Sequence, residues 1–327
     1  MKLIFWGTPE YSVATLDMLH KSNHEVLAVI SQPDKKRGRG NKLISSPVKT
    51  YATKKNIPIH TPENIKGNFD FIKKIKGLSC DLFVVIAYGK ILPNEILEIP
   101  KQGSWNAHAS LLPRWRGAAP IQWSLLEKDE FTGVGIMKME EGLDTGDLLI
   151  EEKIKIEKED NLISLTEKLS NLSAKLFITA ISKIEENINY GISSYLTKQI
   201  SLGRDIKYAR MINKSDYKLN WEDKASDIYR RVKALYPLTY STFRGKNIKI
   251  IKIRIIKNNE LKNKKYNFTN NLKPGIILSL IENEGIAIST KTDPVIILEA
   301  KLEGKNISSK TQLIQQLKPK VGDNFSD

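Results

Sequence analysis

The chain of 327 residues is poor in cysteine and histidine and contains no long apolar run. Its single cysteine, Cys80, excludes an intramolecular disulfide framework and favours the reducing cytoplasm. No apolar stretch reaches the ~20 residues that a membrane-spanning helix needs, and the apolar run at the start is too short for a signal peptide. No spacing of His, Cys and Asp matches a zinc site, so we expect a cytoplasmic protein with no metal and no membrane partner.

The charge of the chain is strongly positive and unevenly distributed. The formal net charge is +15. Residues 1–200 hold 27 Lys and Arg against 24 Asp and Glu, whereas residues 201–327 hold 25 against 13, a net charge of +12. This asymmetry favours a polyanionic partner, and nucleic acid is favoured over a membrane because no basic amphipathic anchor is evident. The alternative is a basic surface that is merely solvated.

The pattern of apolar residues predicts two domains. Strand-like runs at residues 2–6, 25–31 and 81–87 alternate with helical patterns, which is typical of a mainly parallel sheet that binds ligands at the carboxyl ends of its strands. A long helix is predicted over 162–185, and the pattern becomes polar and irregular after it. We predict a first domain at 1–188, a linker at 189–206 and a second domain at 207–327, whose helix at 223–235 precedes short strands typical of a small barrel or sandwich.

Three polar residues are candidates for catalysis. Asn106 and His108 are two residues apart, so in a strand their side chains leave by the same face. Asp144 lies between Gly142 and Gly146, which predicts a tight loop able to bring a carboxylate to that face. An imidazole can move protons, a carboxylate can orient it, and an amide can stabilise an oxyanion, so this set suits acyl transfer without a Ser or Cys nucleophile. A purely structural role is the alternative for His108, as we expect for His20, His24 and His60.

These residues carry a resemblance to a known family. The run Ser-Leu-Leu-Pro-Arg-Trp-Arg-Gly-Ala-Ala-Pro-Ile-Gln at 110–122, together with Asn106, His108 and Gly-Leu-Asp-Thr-Gly-Asp at 142–147, resembles the methionyl-tRNA formyltransferases. The resemblance covers essentially the whole chain and is densest over residues 1–150. It implies a Rossmann-like first domain, an OB-like barrel as the second, and Asn106, His108 and Asp144 as the catalytic set.

The resemblance also implies the substrates and where each one binds. The formyl donor would be 10-formyltetrahydrofolate, held by Ser110, Leu111, Leu112 and Pro113 and by the strand end at Ile86, Tyr88 and Gly89. The partner would be initiator methionyl-tRNA, contacted by the basic stretch Lys35, Lys36, Arg37, Arg39 and Lys42. We expect Gly38 and Gly40 to make this stretch a mobile loop, with a solvated loop as the alternative reading. Whether Arg114 and Arg116 contact folate, RNA or a neighbouring loop stays open.

The resemblance therefore implies an enzyme of translation initiation, which we expect to act as a monomer. The α-amine of methionine on the tRNA would attack the formyl carbon directly, with Asn106 and His108 stabilising the oxyanion and Asp144 holding His108. Two enzyme alternatives use the same catalytic set: formyltransferases acting on small amines, and hydrolases of formyl-folate. A third alternative is a non-catalytic RNA-binding protein on an enzyme fold, although the intact catalytic set argues against it.

Overall fold

The computed structural model describes residues 1–37, 40–256, 260 and 273–325. The chain forms two compact units, each assembled from several segments. Unit 1 comprises Met1–Ile121, Glu130–Ile156 and Ser164–Arg210. Unit 2 comprises Gln122–Asp129, Glu157–Ile163 and Met211–Asp327.

The helices and strands of both units are numbered in chain order. The strands are β1 Lys2–Gly7, β2 Glu25–Ile30, β3 Lys35–Arg37, β4 Lys42–Ile44, β5 Ile59–His60, β6 Leu82–Ile86, β7 Ser104–His108, β8 Arg116–Gly117, β9 Phe131–Lys138, β10 Leu148–Lys155, β11 Tyr208–Ala209, β12 Tyr240–Phe243, β13 Lys246–Ile255, β14 Ile277–Ile281, β15 Gly285–Ile288, β16 Val295–Leu302 and β17 Ile307–Ser309. The α-helices are α1 Val13–His20, α2 Pro47–Lys54, α3 Phe69–Gly77, α4 Asn94–Leu97, α5 Pro120–Leu126, α6 Leu162–Glu186, α7 Ala225–Ala234 and α8 Lys310–Leu317. Single 3₁₀ turns lie at Glu10–Ser12, Ile192–Tyr195, Gln199–Leu202 and Lys214–Tyr217.

Unit 1 is built on a seven-stranded sheet in the order β10-β9-β7-β6-β1-β2-β5. The pairs β5–β2, β2–β1, β1–β6 and β6–β7 are parallel, whereas the pairs β7–β9 and β9–β10 are antiparallel. All five residues of β6 are buried, as expected for a parallel strand covered on both faces. The predicted mainly parallel fold is therefore confirmed.

An aromatic cluster fixes the centre of this sheet. The ring of Trp6 packs edge-on against Tyr88 at 5.2 Å between centroids and lies 5.4 Å from the ring of Phe83. The parallel register pairs Trp6 with Val85 and Val85 with Asn106, which brings β1, β6 and β7 into line near their carboxyl ends. The apolar core of unit 1 thereby positions the strand that carries Asn106 and His108.

Unit 2 is built on an antiparallel sheet of six strands. The order is β12-β13-β16-β15-β14, and β17 pairs with β16. In its core the rings of Phe243 and Phe325 stack at 4.9 Å, and the indole of Trp221 donates a 2.8 Å hydrogen bond to Ser241 Oγ. The predicted β-rich second domain is confirmed as a mainly antiparallel one.

Two predicted segments make more regular contacts in the structure than their sequences suggest. The predicted linker at 189–206 lies within unit 1, where Thr197 forms an isolated bridge with Leu148. Its polar composition conceals this packing because its anchors are hydrogen bonds rather than an apolar stripe. The basic stretch is also not a loop throughout, since β3 and β4 pair antiparallel with Lys36 opposite Leu43. Gly38 and Arg39 lie outside the described residues.

Neither a membrane span nor a metal-binding cluster is found in the described part of the chain. None of its helices is long and apolar enough to cross a bilayer. Within the same ranges, no three His, Cys, Asp or Glu side chains come together as a metal site would require.

Candidate active site

Strand β7 presents the first two candidate residues. Asn106 pairs with Val85 on one side and Met137 on the other, and His108 pairs with Gly135 of β9. Asn106 is half-buried, whereas His108 at the end of the strand is only 6% exposed. Strand geometry directs both side chains to one face of the sheet.

The two ring nitrogens of His108 face different oxygen atoms. Nε2 donates a hydrogen bond of 2.9 Å to the backbone carbonyl of Trp115. Nδ1 lies 3.7 Å from Oδ2 of Asp144, a distance too long for a hydrogen bond. The imidazole is therefore oriented by a carbonyl on one side and faces a carboxylate on the other.

Asp144 is held in place by its own loop, residues 142–147, which joins β9 to β10. Its backbone is left-handed with φ 52°, and its Oδ2 accepts a 2.7 Å hydrogen bond from the N–H of Gly117. Gly146 permits the close return of this loop, because a Cβ there would lie 1.7 Å from the carbonyl oxygen of Lys138. The structure thus brings Asp144 to the face that carries His108.

The Ser-Leu-Leu-Pro turn at residues 110–113 is stabilised by a hydrogen bond from its own serine. Ser110 is fully buried, and its hydroxyl donates a 2.6 Å hydrogen bond to the carbonyl of Arg114. Leu112 is also fully buried and packs with Met137 and Leu148. Leu111 is partly exposed and Pro113 is buried. The hydroxyl of Ser110 therefore closes the turn, and the turn can offer a ligand its shape and backbone.

The strand end at residues 86–89 buries its large side chains and exposes backbone at Gly89. Ile86 and Tyr88 are buried, and burial raises the pKa of the Tyr88 phenol to about 12. Ala87 and Gly89 between and after them are exposed, and Gly89 has a φ of 86° that favours glycine. A flat ring system placed here could contact the main chain of Gly89.

The basic hairpin is anchored at its base. Lys35, Lys36 and Lys42 are exposed, and Arg37 ends β3. Just before the hairpin, both Nζ–Oδ distances between Lys49 and Asp34 are 2.9 Å, and this hydrogen bond lowers the pKa of the Asp34 carboxyl. Three lysines are thus presented on a short ladder rather than on an unstructured loop.

Sequence reasoning missed the residues that support the site. Gln199 is 3% exposed, and its Oε1 accepts hydrogen bonds from Nε and Nη2 of Arg116 at 3.1 and 2.8 Å. Nη1 of Arg204 donates to the carbonyl of Leu112 at 2.9 Å. The guanidinium of Arg114 lies 4.6 Å over the ring of Trp115. Folate, RNA and a neighbouring loop are the three possible contacts of Arg116, and the structure shows the contact with a neighbouring loop, through Gln199. No pattern in a single sequence indicates this role of Gln199.

Comparisons with known proteins point to one family. The family model described as formyl transferase matches residues 1–181, and the model of the formyl transferase C-terminal domain matches 211–318. A protein of Prochlorococcus marinus strain MIT 9312, named methionyl-tRNA formyltransferase, is 69% identical over 328 residues that cover both chains completely.

Solved structures share the fold at low identity. The N-formyltransferase of Helicobacter canadensis, in complex with folinic acid and dTDP-3-aminofucose, is 21% identical with a TM-score of 0.61 and covers 91% of this chain and 98% of its own. HypX of Aquifex aeolicus, in complex with tetrahydrofolic acid, is 14% identical with a TM-score of 0.61 and covers 99% of this chain and 48% of its own.

Proposed function

This chain belongs to the formyl transferase family, and we propose that it transfers a formyl group from 10-formyltetrahydrofolate to the α-amine of methionine on initiator methionyl-tRNA. It is a formyltransferase. The observation that carries the finer proposal is the 3.7 Å contact between His108 and Asp144, beside an amide two residues away on the same strand.

The proposed reaction needs no covalent intermediate with the enzyme. The α-amine attacks the formyl carbon, and a new C–N bond forms as the carbonyl oxygen becomes an oxyanion. The side-chain amide of Asn106, with the imidazole of His108 beside it, would stabilise that oxyanion. The bond from carbon to N10 then breaks, and the proton lost by the amine is delivered to N10 by His108 or a water. Asp144 holds and charges the imidazole, and positioning of both substrates supplies much of the rate.

The donor is proposed to bind where the backbone is exposed. The turn at Ser110–Pro113 and the strand end at Ile86, Tyr88 and Gly89 would hold the folate. Two features support this assignment: the side chains of Ile86 and Tyr88 are buried, and the exposed Gly89 leaves main-chain groups accessible.

The tRNA is proposed to contact two basic regions of the chain. The basic stretch that contains Lys35, Lys36, Arg37, Arg39 and Lys42 would hold the acceptor end, because Lys35, Lys36 and Lys42 are exposed. The second domain at 207–327, OB-like in our proposal, would bind the rest of the tRNA, in keeping with the charge of residues 201–327. A catalytic domain at 1–188 and action as a monomer in the cytoplasm, where charged tRNA is used, complete the proposal.

A transfer assay tests the proposal directly. The protein is incubated with 10-formyltetrahydrofolate labelled in the formyl carbon and with charged initiator methionyl-tRNA, glycinamide ribonucleotide or water alone as acceptor. Label in the methionyl ester of tRNA alone supports the proposal. Methionyl-tRNA whose amine is already acetylated is the matched control and should take up no label. Label in the small amine, or release of formate, would replace it by one of the alternative activities.

A further inference from the structure

A segment that includes part of the predicted linker is tied to the candidate site at several points. We call residues 196–210 the tether. Thr197 forms a bridge with Leu148, and the carbonyl of Lys207 accepts a 2.9 Å hydrogen bond from the N–H of Arg116. Further along, β11 of the tether pairs in parallel with β8. The tether therefore touches both loops that position His108 and Asp144.

Gln199 makes the central contact of the tether. Its Nε2 donates hydrogen bonds of 2.9 Å to the carbonyl of Asp144 and 2.8 Å to that of Gly146. Its Oε1 accepts both hydrogen bonds from Arg116. A side-chain amide has two N–H donors and two acceptor lone pairs, so every hydrogen-bonding position of this buried group is used.

These bonds act on the Asp144 loop from both sides. Two of them hold the carbonyls that flank Thr145, where Asp144 adopts its left-handed backbone. The other two hold Arg116, which immediately precedes the Gly117 N–H bonded to Asp144 Oδ2. One buried amide thus fixes both the backbone of Asp144 and the backbone group that orients its carboxylate.

We propose that Gln199 is a positioning residue for formyl transfer, which holds the carboxylate of Asp144 beside the imidazole of His108. The inference rests on the proposed function, since it assigns the rate effect of Gln199 to Asp144. A residue that merely stabilises the fold would lower the melting temperature without acting through Asp144. A residue that positions Asp144 lowers kcat, and its effect disappears once the carboxylate is gone.

Two substitutions distinguish the hydrogen bonds that the amide of Gln199 donates from those that it accepts. Gln199→Leu removes all four hydrogen bonds at similar volume. Gln199→Glu keeps an acceptor for Arg116 but places an oxygen against the carbonyls of Asp144 and Gly146. Tyr11→Phe is the matched control, because it removes a partly buried hydrogen bond of 2.6 Å to Ser173 elsewhere in unit 1. All variants are assayed well below their measured melting temperatures.

We expect both Gln199 variants to lower kcat by about 10- to 100-fold, with KM for the formyl donor changed by less than about threefold. Tyr11→Phe should lower the melting temperature and leave kcat unchanged. In an Asp144→Asn background, Gln199→Leu should lower kcat by less than about threefold further.

Three results would overturn the inference. One is a double variant whose reduction in kcat equals the product of the two single reductions. Another is wild-type kcat in Gln199→Glu, which would leave only the Arg116 contact important. The third is wild-type kcat in Gln199→Leu. If Asp144→Asn itself transfers formyl groups at the wild-type rate, the proposed catalytic set fails instead, and the basis for assigning Gln199 fails with it.

Discussion

Replacing Gly146 with alanine is expected to displace the Asp144 loop while the sheet stays in place. The new Cβ would lie 1.7 Å from the carbonyl oxygen of Lys138 and 2.9 Å from its carbonyl carbon. Lys138 is fixed by its strand, where it pairs with Trp105, and its N–H donates to the carbonyl of Asp147 at 2.9 Å. Since backbone of a paired strand cannot retreat cheaply, the loop has to move.

The size of the movement follows from the contact. Real Cβ contacts are essentially never shorter than 3.0 Å, so the gap must widen by at least about 1.3 Å. A shift of this size breaks the 2.7 Å hydrogen bond from Gly117 to Asp144 and withdraws the carboxylate from His108. Misplacing a reacting group by about 1 Å can cost about 10²-fold in rate. We therefore expect kcat to fall by about 10²-fold, which corresponds to about 2.7 kcal/mol of activation free energy.

Single-turnover formyl transfer to methionyl-tRNA at saturating donor measures this effect. Gly142→Ala is the matched control in the same loop, because its Cβ would meet Thr145 Oγ1 at 2.1 Å, a side-chain atom that can rotate away. The control should lose little more than the exposed hydrogen bond from Thr145 to Glu140. Near-wild-type kcat in Gly146→Ala, or an equal reduction in Gly142→Ala, would show that the position of Asp144 does not limit the reaction.

His108→Ala should lower kcat by about 10²–10⁴-fold while KM for the donor changes little, because the variant has no positioned proton carrier; steady-state kinetics that retain wild-type kcat would remove His108 from the mechanism. Substituting Gln for Lys35, Lys36 and Lys42 together should raise KM for tRNA and reduce the slope of log affinity against log salt by roughly 0.7–0.9 for each phosphate that the variant no longer neutralises. An unchanged slope would assign these lysines to a solvated surface. Cys80 should resist iodoacetamide in the folded protein and react in urea, because burial raises the pKa of its thiol to about 12. Rapid alkylation of the folded protein, read by mass, would contradict this.

The parallel sheet of unit 1 is predictable because its inner strands are continuous apolar runs. The runs at 25–31 and 81–87 become Glu25–Ile30 and Leu82–Ile86, and the helical pattern at 162–185 becomes Leu162–Glu186. The side chains that an element buries are apolar and recur at a spacing set by its own strand or helix geometry. This spacing can be recognised in the sequence without knowledge of the neighbouring elements. The hairpin of β3 and β4 cannot be predicted in this way, because Lys35, Lys36 and Lys42 are exposed and the segment shows no alternation of apolar and polar residues.

The candidate site is predictable only in part, for a related reason. Asn106 and His108 share one strand, so local geometry is enough to place them on one face. The contact of Asp144 with His108 depends on a loop whose path is set by Gly146 and Gly117, and only the glycines that bound Asp144 hint at it.

The role of Gln199 has no such signal in the sequence. All its hydrogen-bond partners except Arg116 are backbone carbonyls, which every residue has. A hydrogen bond from a side chain to a backbone carbonyl requires a particular residue type only on the side-chain end. The residue that supplies the carbonyl can be of any type. The parts of the site that act through backbone groups are therefore the parts that pattern analysis of one sequence misses. One substitution in these parts, at Gln199 or Gly146, is nevertheless expected to lower the rate by about 10- to 100-fold with the sheet intact.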